Sequence, residues 1–217
     1  MSEAMVNLLL QATAETLLMI FASALGSALF GVPLGIALHA SKEGGILQHA
    51  TLNKVLGSVV NIGRSIPFII LLVAIIPLTR LLTGTSIGTV AAIVPLTVAA
   101  IPFVARLIEG ALLEVPSGLV EAAQAMGASP LQIIGKVLLP EALPGIINGL
   151  TITLVTLVNY SAMAGAIGGG GLGDVGIRYG YQRFDLTVML ITIALLVILV
   201  QLIQSLGETL VKRVDHR

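Results

Sequence analysis

The sequence predicts an all-α integral membrane protein with five membrane-spanning helices. Hydrophobic residues make up 56% of the 217 residues and charged residues only 10%, whereas a soluble domain carries about a quarter charged residues. The apolar residues come in runs of about 20, the length that an α-helix needs to cross the hydrocarbon layer. Strands of a membrane barrel would instead alternate apolar and polar residues in segments of about ten.

Five apolar stretches are long enough to be membrane spans. Pro67, Pro95 and Pro102 lie in the second and third of them. Membrane helices tolerate such prolines where neighbouring groups bond the carbonyls that are set free. The predicted spans are residues 17–38, 55–77, 90–108, 144–167 and 186–206.

The basic residues predict which end of the chain is in the cytoplasm. Five crossings put the two termini on opposite sides, and Lys and Arg concentrate in cytoplasmic segments. With an outer N-terminus and an inner C-terminus, eight of the eleven basic residues fall inside and three outside. The inner group is Lys42, Lys54, Arg64, Arg106, Lys136, Lys212, Arg213 and Arg217, and the outer group is Arg80, Arg178 and Arg183. We therefore expect an outer N-terminus and a cytoplasmic C-terminus.

Several kinds of function are disfavoured by what the sequence lacks. There is no Cys, which excludes disulfides and thiolate metal sites, and a net charge of zero suggests no nucleic-acid partner. No phosphate-binding loop is present, because Gly135-Lys136 is followed by Val137. No charged residue lies near the middle of a predicted span, where pumps and secondary transporters usually need one. We expect no catalytic residue, metal site or bound cofactor, and an energy source in another subunit.

The loop between the third and fourth spans, residues 109–143, is longer than a minimal connection. Ser117 is expected to cap a short helix that ends at Gly127 with a positive φ. Ser129 is expected to cap a second helix that has Pro130 at its first position. One apolar face of that helix is predicted to carry Leu131, Ile134 and Leu138. Such a pair of short amphipathic helices suits a lever that pushes on a partner protein, and it equally suits helices that rest on lipid headgroups.

This loop resembles the EAA loop of ABC importer permeases, which reads Glu-Ala-Ala, three residues, Gly, about nine residues and Ile-x-Leu-Pro. Glu121-Ala-Ala123 and Gly127 match, and Val137-Leu-Leu-Pro140 departs from the Ile-x-Leu-Pro ending. The resemblance implies that residues 121–127 form a coupling helix that docks on a separate ATPase subunit, which holds ATP and Mg²⁺. The implied docking residues are Glu121, Ala122, Ala123, Met126 and Gly127.

The resemblance extends over nearly the whole chain and is greatest to methionine importer permeases. It implies a type I ABC importer permease domain over residues 12–206, with residues 207–217 as a cytoplasmic tail. It also implies a homodimer in the bacterial inner membrane, two cytoplasmic ATPase subunits, and a periplasmic or lipid-anchored methionine-binding protein. The segments that carry it are Asn61–Phe68, Ala92–Thr97, Glu114–Gly118, Tyr160–Gly165, Gly168–Asp174 and Arg178–Tyr181. A permease for another amino acid or small metabolite is the first alternative, and a stand-alone secondary transporter is the second.

The fourth span has the most polar face of the five. Polar groups in hydrocarbon cost free energy unless they are paired or hydrated. We therefore expect this face to lie at the dimer axis and to line the translocation path, with hydrogen bonds between helices as the alternative. The candidate path residues are Asn148, Thr156, Asn159, Tyr160, Ser161 and Met163, and Thr151 and Thr153 lie on the same span.

Arginine and glycine mark two further features. Arg64 is expected either to reach the headgroups from the edge of the second span or to position a helix that forms a gate. Residues 168–173 fit the pattern Gly-x-Gly-x-x-Gly, but they lack a strand–helix–strand context. We therefore expect a flexible outer turn there. The pairs Gly31-x-x-x-Gly35 and Gly145-x-x-x-Gly149 permit close helix packing.

Overall fold

The computed structural model describes residues 3–215, and all regular structure in this range is helical. Arg217, one of the basic residues assigned to the cytoplasm, lies outside the described residues. The helices are α1 (Glu3–Ser41), α2 (Ala50–Ser65), α3 (Phe68–Ala74), α4 (Ile76–Thr83), α5 (Thr89–Leu113), α6 (Ser117–Ala125), α7 (Pro130–Ile133), α8 (Leu139–Ala164), α9 (Gly171–Val175) and α10 (Leu186–Val214). Wider π-helical turns occur at Ile134–Leu138, Gly165–Gly169 and Gly176–Tyr181.

Within residues 3–215, four helices are long and apolar enough to cross a membrane. They contain the first, third, fourth and fifth predicted stretches. These helices are α1, α5, the continuous helix Pro130–Gly169 that includes α7 and α8, and α10. α10 extends to Val214, so most of the predicted tail continues the last helix.

The second predicted span is broken, and the expectation of one continuous helix over residues 55–77 is wrong. α2 and α3 meet at an angle of 100°. Pro67 accounts for the break, because its ring disfavours the helical conformation of the preceding residue. Ile66 is indeed extended, with φ −80° and ψ 122°. The bent pair α2–α3 is the candidate for a fifth span.

Glycines let two helices approach α5 closely. A Cβ atom added at Gly35 of α1 would lie 2.5 Å from the carbonyl oxygen of Ala105, and one added at Gly145 of α8 would lie 2.9 Å from the Cβ atom of Ala111. Both Gly-x-x-x-Gly pairs therefore pack against α5, as their spacing suggested. Pro33, which lies between Gly31 and Gly35, is accommodated inside α1 without a break.

Two apolar clusters connect the long helices. The first joins α1, α5, α8 and α10 through buried side chains that include Met19, Leu96, Leu157 and Leu199. The second joins α5 to the segment that precedes α8. Its buried members include Ile108, Ala123, Ile133 and Leu138. The predicted docking segment is thus packed against a membrane helix.

Candidate translocation path and coupling surface

The segment with the docking motif forms the nine-residue helix α6 and a tight turn. Pro116 precedes α6, and no side chain caps its first turn. The expectation that Ser117 is the cap is therefore wrong, since Ser117 is the first helical residue. The predicted end is confirmed, because Gly127 has φ +78° and its N–H donates to the carbonyl of Gln124.

Four of the five predicted docking residues lie on the surface of the chain. Glu121, Ala122 and Gly127 are exposed, and Met126 is 81% exposed. Ala123 is instead 4% exposed and belongs to the cluster around α5. The exposed four form the candidate coupling surface, and Ala123 fixes α6 to the rest of the molecule.

The chain after Gly127 is a continuous helix that leads into the membrane. The hydroxyl of Ser129 accepts a hydrogen bond from the N–H of Gln132, and the side-chain carbonyl of Gln132 accepts one from the N–H of Ser129. This reciprocal cap confirms the predicted start, with Pro130 at the first position. The second helix is not short, however, because α7 and α8 form one helix from Pro130 to Gly169. Nor does Leu131 share the predicted apolar face, since it is 80% exposed.

α8 leaves one face uncovered along most of its length. Asn148 and Asn159 are exposed, Ile152 is 37% exposed and Met163 is 39% exposed. These residues follow one another at intervals of three to four or seven, so they lie on one side of the helix. Thr156 is half-buried at the margin of this stripe. We call the five residues the open face of α8.

The other polar residues of α8 are buried inside the chain. Thr151, Thr153 and Ser161 are 6%, 1% and 1% exposed. Their hydroxyl groups donate to carbonyl oxygens of α8 itself, at Ile147, Gly149 and Val158. The structure therefore does not bring Ser161 together with Asn148, Thr156, Asn159 and Met163. These hydroxyls also make no bond between helices, which was the alternative for the polar face.

Tyr160 borders the open face and reaches the corner between α2 and α3. Its ring stacks on that of Phe68, with centroids 4.5 Å apart and planes 2° apart. The two rings line an open cleft of about 180 Å³. The remaining wall residues are Gly63, Arg64, Ile66, Ala99 and Phe103.

Arg64 lies beside the middle of a membrane helix. Ala99 and Phe103 share its cleft, and they flank the midpoint of the 25-residue helix α5. Both expectations for Arg64, an anchor at the headgroups and a residue that positions a gate helix, stay predictions. Sequence reasoning missed the place of Arg64 beside this cleft because it depends on the break at Pro67.

A second arginine near the same corner is neutralised. Arg106 forms an ion pair of 2.6 Å with Glu109, and it also donates to the side chain of Asn61 on α2. In the described part of the chain, by contrast, no ion pair or hydrogen bond is recorded for the guanidinium of Arg64.

The glycine-rich segment after α8 is held by α1. The N–H of Gly171 donates to the carboxylate of Glu15 (2.8 Å), and the N–H of Leu172 donates to the hydroxyl of Thr16 (2.9 Å). Gly170 and Gly171 have φ +79° and +74°, so the backbone folds back onto α1. The turn is an ordered element, and the signal that sequence reasoning missed is the carboxylate of Glu15 within a predicted membrane helix.

Residues 3–215 contain no group of three His, Asp or Glu side chains that could hold a metal ion. Polar features at the surface of this region include the coupling surface, the open face of α8 and the Arg64 cleft. An arrangement of this kind suits binding and movement of a small polar molecule.

Comparison with known proteins decides the family. Residues 31–217 match the model of the binding-protein-dependent transport system inner membrane component. The chain belongs to this family. A permease of Vibrio cholerae, described as a probable D-methionine transport system permease protein, is 68% identical over 212 residues, which are 97% of this chain and 94% of the relative. A protein of Haemophilus influenzae with the same description is 54% identical over 206 residues, which are 95% of this chain and 97% of that protein.

A solved structure extends this similarity to the fold. It is described as an inward-facing conformation of the MetNI methionine ABC transporter. The matching chain is 56% identical, both chains are covered completely, and the TM-score is 0.98. The resemblance to ABC importer permeases is thereby confirmed, and the helices have the arrangement of a type I ABC permease.

Proposed function

We propose that this chain forms the translocation pathway of an ATP-driven methionine importer. The observation that carries the proposal is the helical segment that runs from Pro130 to Ala164. It begins directly after the candidate coupling surface at Gly127 and carries the open face of α8. A push on the turn at Gly127 would therefore move the side chains of the open face as one rigid body.

The open face of α8 is proposed to lie at the axis of a homodimer. Two exposed Asn side chains within an apolar helix are costly against lipid, whereas two facing copies would enclose them in a hydrated passage. In this proposal Asn148, Ile152, Thr156, Asn159 and Met163 line the path. Tyr160 borders it, and Ser161 supports α8 from the buried side.

The proposed orientation has a periplasmic N-terminus and a cytoplasmic C-terminus. Arg64 is left out of this count, because it lines a cleft beside the midpoint of α5. The remaining basic residues still divide seven to three in favour of the C-terminal side, as the positive-inside rule requires. α6 and the coupling surface are then cytoplasmic.

The partners follow from the family and from this orientation. Glu121, Ala122, Met126 and Gly127 are proposed to dock on a cytoplasmic ATPase, with one ATPase subunit for each copy of the chain. ATP and Mg²⁺ belong to that subunit, and this chain performs no hydrolysis itself. A periplasmic or lipid-anchored binding protein would deliver methionine to the outer mouth in the bacterial inner membrane. Methionine is proposed as substrate because the relatives that carry that description cover nearly the whole chain.

Uptake of radiolabelled methionine into vesicles tests this function. The vesicles would contain the chain together with its ATPase, ATP inside and the binding protein outside. We expect accumulation that requires ATP and falls several-fold in Asn159→Leu, which removes a polar group from the open face, but not in Ser161→Ala. Uptake of another amino acid in place of methionine would overturn the substrate, and uptake without the ATPase would overturn the class of transporter.

A further inference from the structure

The cleft at the α2–α3 corner combines one cation with an aromatic wall. Its basic member is Arg64, and its rings belong to Phe68, Phe103 and Tyr160. Phe68 is 5% exposed and stacked on Tyr160, so the wall is held in place before any ligand arrives. Tyr160 directly follows Asn159, a residue of the open face of α8, in the sequence.

The guanidinium of Arg64 is the unusual feature of the cleft. A charged side chain on a membrane helix is costly and normally faces a partner or water. Arg106 has such a partner in Glu109, whereas Arg64 makes no ion pair or hydrogen bond within residues 3–215. The side chain of Arg64 is exposed beside the cleft and is free to bind an anionic group there.

The chemistry of the cleft matches one class of ligand. The planar guanidinium binds a carboxylate through two parallel hydrogen bonds. Aromatic rings attract a thioether sulfur and bury aliphatic carbon. A free α-amino acid with an apolar, sulfur-containing side chain has both a carboxylate for the guanidinium and a thioether for the rings, and only a few bonds separate the two groups.

We propose that this cleft holds the transported amino acid during passage, with Arg64 binding its α-carboxylate and Phe68, Phe103 and Tyr160 packing against its side chain. The proposal rests on the proposed function and adds a discrete site within the membrane. The break at Pro67 gives the second span its part in this site, since Arg64 lies in the last turn of α2 directly before the break.

Equilibrium binding to the complex of this chain with its ATPase tests the site directly. The complex would be held in lipid nanodiscs without nucleotide and without the binding protein. The two ligands are methionine and methioninol, in which a hydroxymethyl group replaces the carboxylate. Binding of radiolabelled methionine is measured directly, and binding of methioninol is measured by its competition with the labelled methionine. Arg64→Gln is expected to weaken methionine binding by about tenfold to a hundredfold, the usual effect of losing a charge-assisted pair, and to change methioninol binding by less than about twofold.

Two further variants make the result specific. Arg64→Lys keeps the charge and loses the planar fork, so we expect methionine binding between that of the native chain and that of Arg64→Gln. Arg80→Gln is the matched control, because Arg80 donates to Ser86 on the surface and lies outside the cleft. This control is expected to bind both ligands as the native chain does. Assembly with the ATPase, checked by size-exclusion chromatography, shows that each variant is folded.

The opposite results would overturn the site. One such result is that Arg64→Gln weakens the binding of methionine and of methioninol equally. The others are unchanged methionine binding in Arg64→Gln and no methionine binding by the assembled native complex. Failure of the site is distinct from failure of the proposed function. If the native complex imports methionine with its binding protein and Arg64→Gln imports it equally well, the importer stands without this site. If the native complex imports no methionine, the proposed function itself fails.

Discussion

Pro130 and Pro67 each stand at the start of a helix, but the chain around them is built differently. At Pro130, Ser129 and Gln132 cap the first turn reciprocally, and the helical backbone continues through the π-helical turn at Ile134–Leu138 to Ala164. At Pro67, no side chain caps α3, and the chain turns by 100°. The first site is a stiff joint that suits transmission of force, and the second is an open corner that suits binding of a ligand.

The largest effect on uptake is expected from a substitution in the turn at Gly127, which precedes the capped helix start at Pro130. Gly127 has φ +78°, and a Cβ atom added there would meet nothing within 4 Å. A substitution therefore acts through the backbone alone, and left-handed φ costs an L-residue about 1–2 kcal/mol, more when it is β-branched. We expect Gly127→Val to lower ATP-driven methionine uptake by about tenfold or more, because α6 would be displaced relative to α7.

Gly118 supplies the control for that experiment. It lies in α6 with ordinary helical φ and open space around it, so Gly118→Ala is expected to leave uptake unchanged. If both variants transport normally, the turn at Gly127 has no part in coupling.

The next effect concerns the open corner. Pro67→Ala restores an N–H and lifts the restriction on Ile66, so α2 and α3 are expected to straighten and uptake to fall several-fold. The chain has no Cys, which allows spin labels at Ser58→Cys on α2 and Leu81→Cys on α4 without background. A longer mean distance between the labels, measured by pulsed electron resonance in complexes diluted with unlabelled chain, would report the straightening.

Pro33 distinguishes the corner from a general effect of removing proline. It lies inside α1, which does not break there, and Pro33→Ala is expected to leave the label distance unchanged. An unchanged distance in Pro67→Ala would show instead that packing of Phe68 against Tyr160 holds the corner.

These contrasts also show how far the sequence alone could lead. Hydropathy predicted the long helices. The residue preferences of helix ends predicted the positive φ of Gly127 and the cap at Ser129. The break at Pro67 was not predictable in this way, because Pro95 and Pro102 lie inside α5 without breaking it. Whether a proline bends a helix depends on the neighbouring helices, and the place of Arg64 beside the cleft follows from that bend.

The polar residues of α8 are a different case. The sequence indicated that the fourth span is polar. The residues predicted to line its polar face, however, were chosen by residue type and not by their position around the helix. A period of 3.6 residues separates Ser161 from Asn159 and Met163 by itself, so this distinction was within reach of the sequence. The packing of Ala123 was less accessible, because it requires the contact between α6 and the cluster around α5.

The smallest expected effect tests the cap that makes the joint at Pro130 stiff. Ser129 accepts from the N–H of Gln132, and loss of such a cap costs about 1 kcal/mol. We expect Ser129→Ala to speed hydrogen exchange in α7 by about fivefold, measured on the assembled complex. Ser117→Ala is the matched control, since Ser117 makes no cap for α6, and its exchange should not change. Equal exchange in both variants would mean that packing of Ile133 and Leu138, and not the cap, keeps the joint rigid, because those buried side chains are the other contacts that hold this segment against α5.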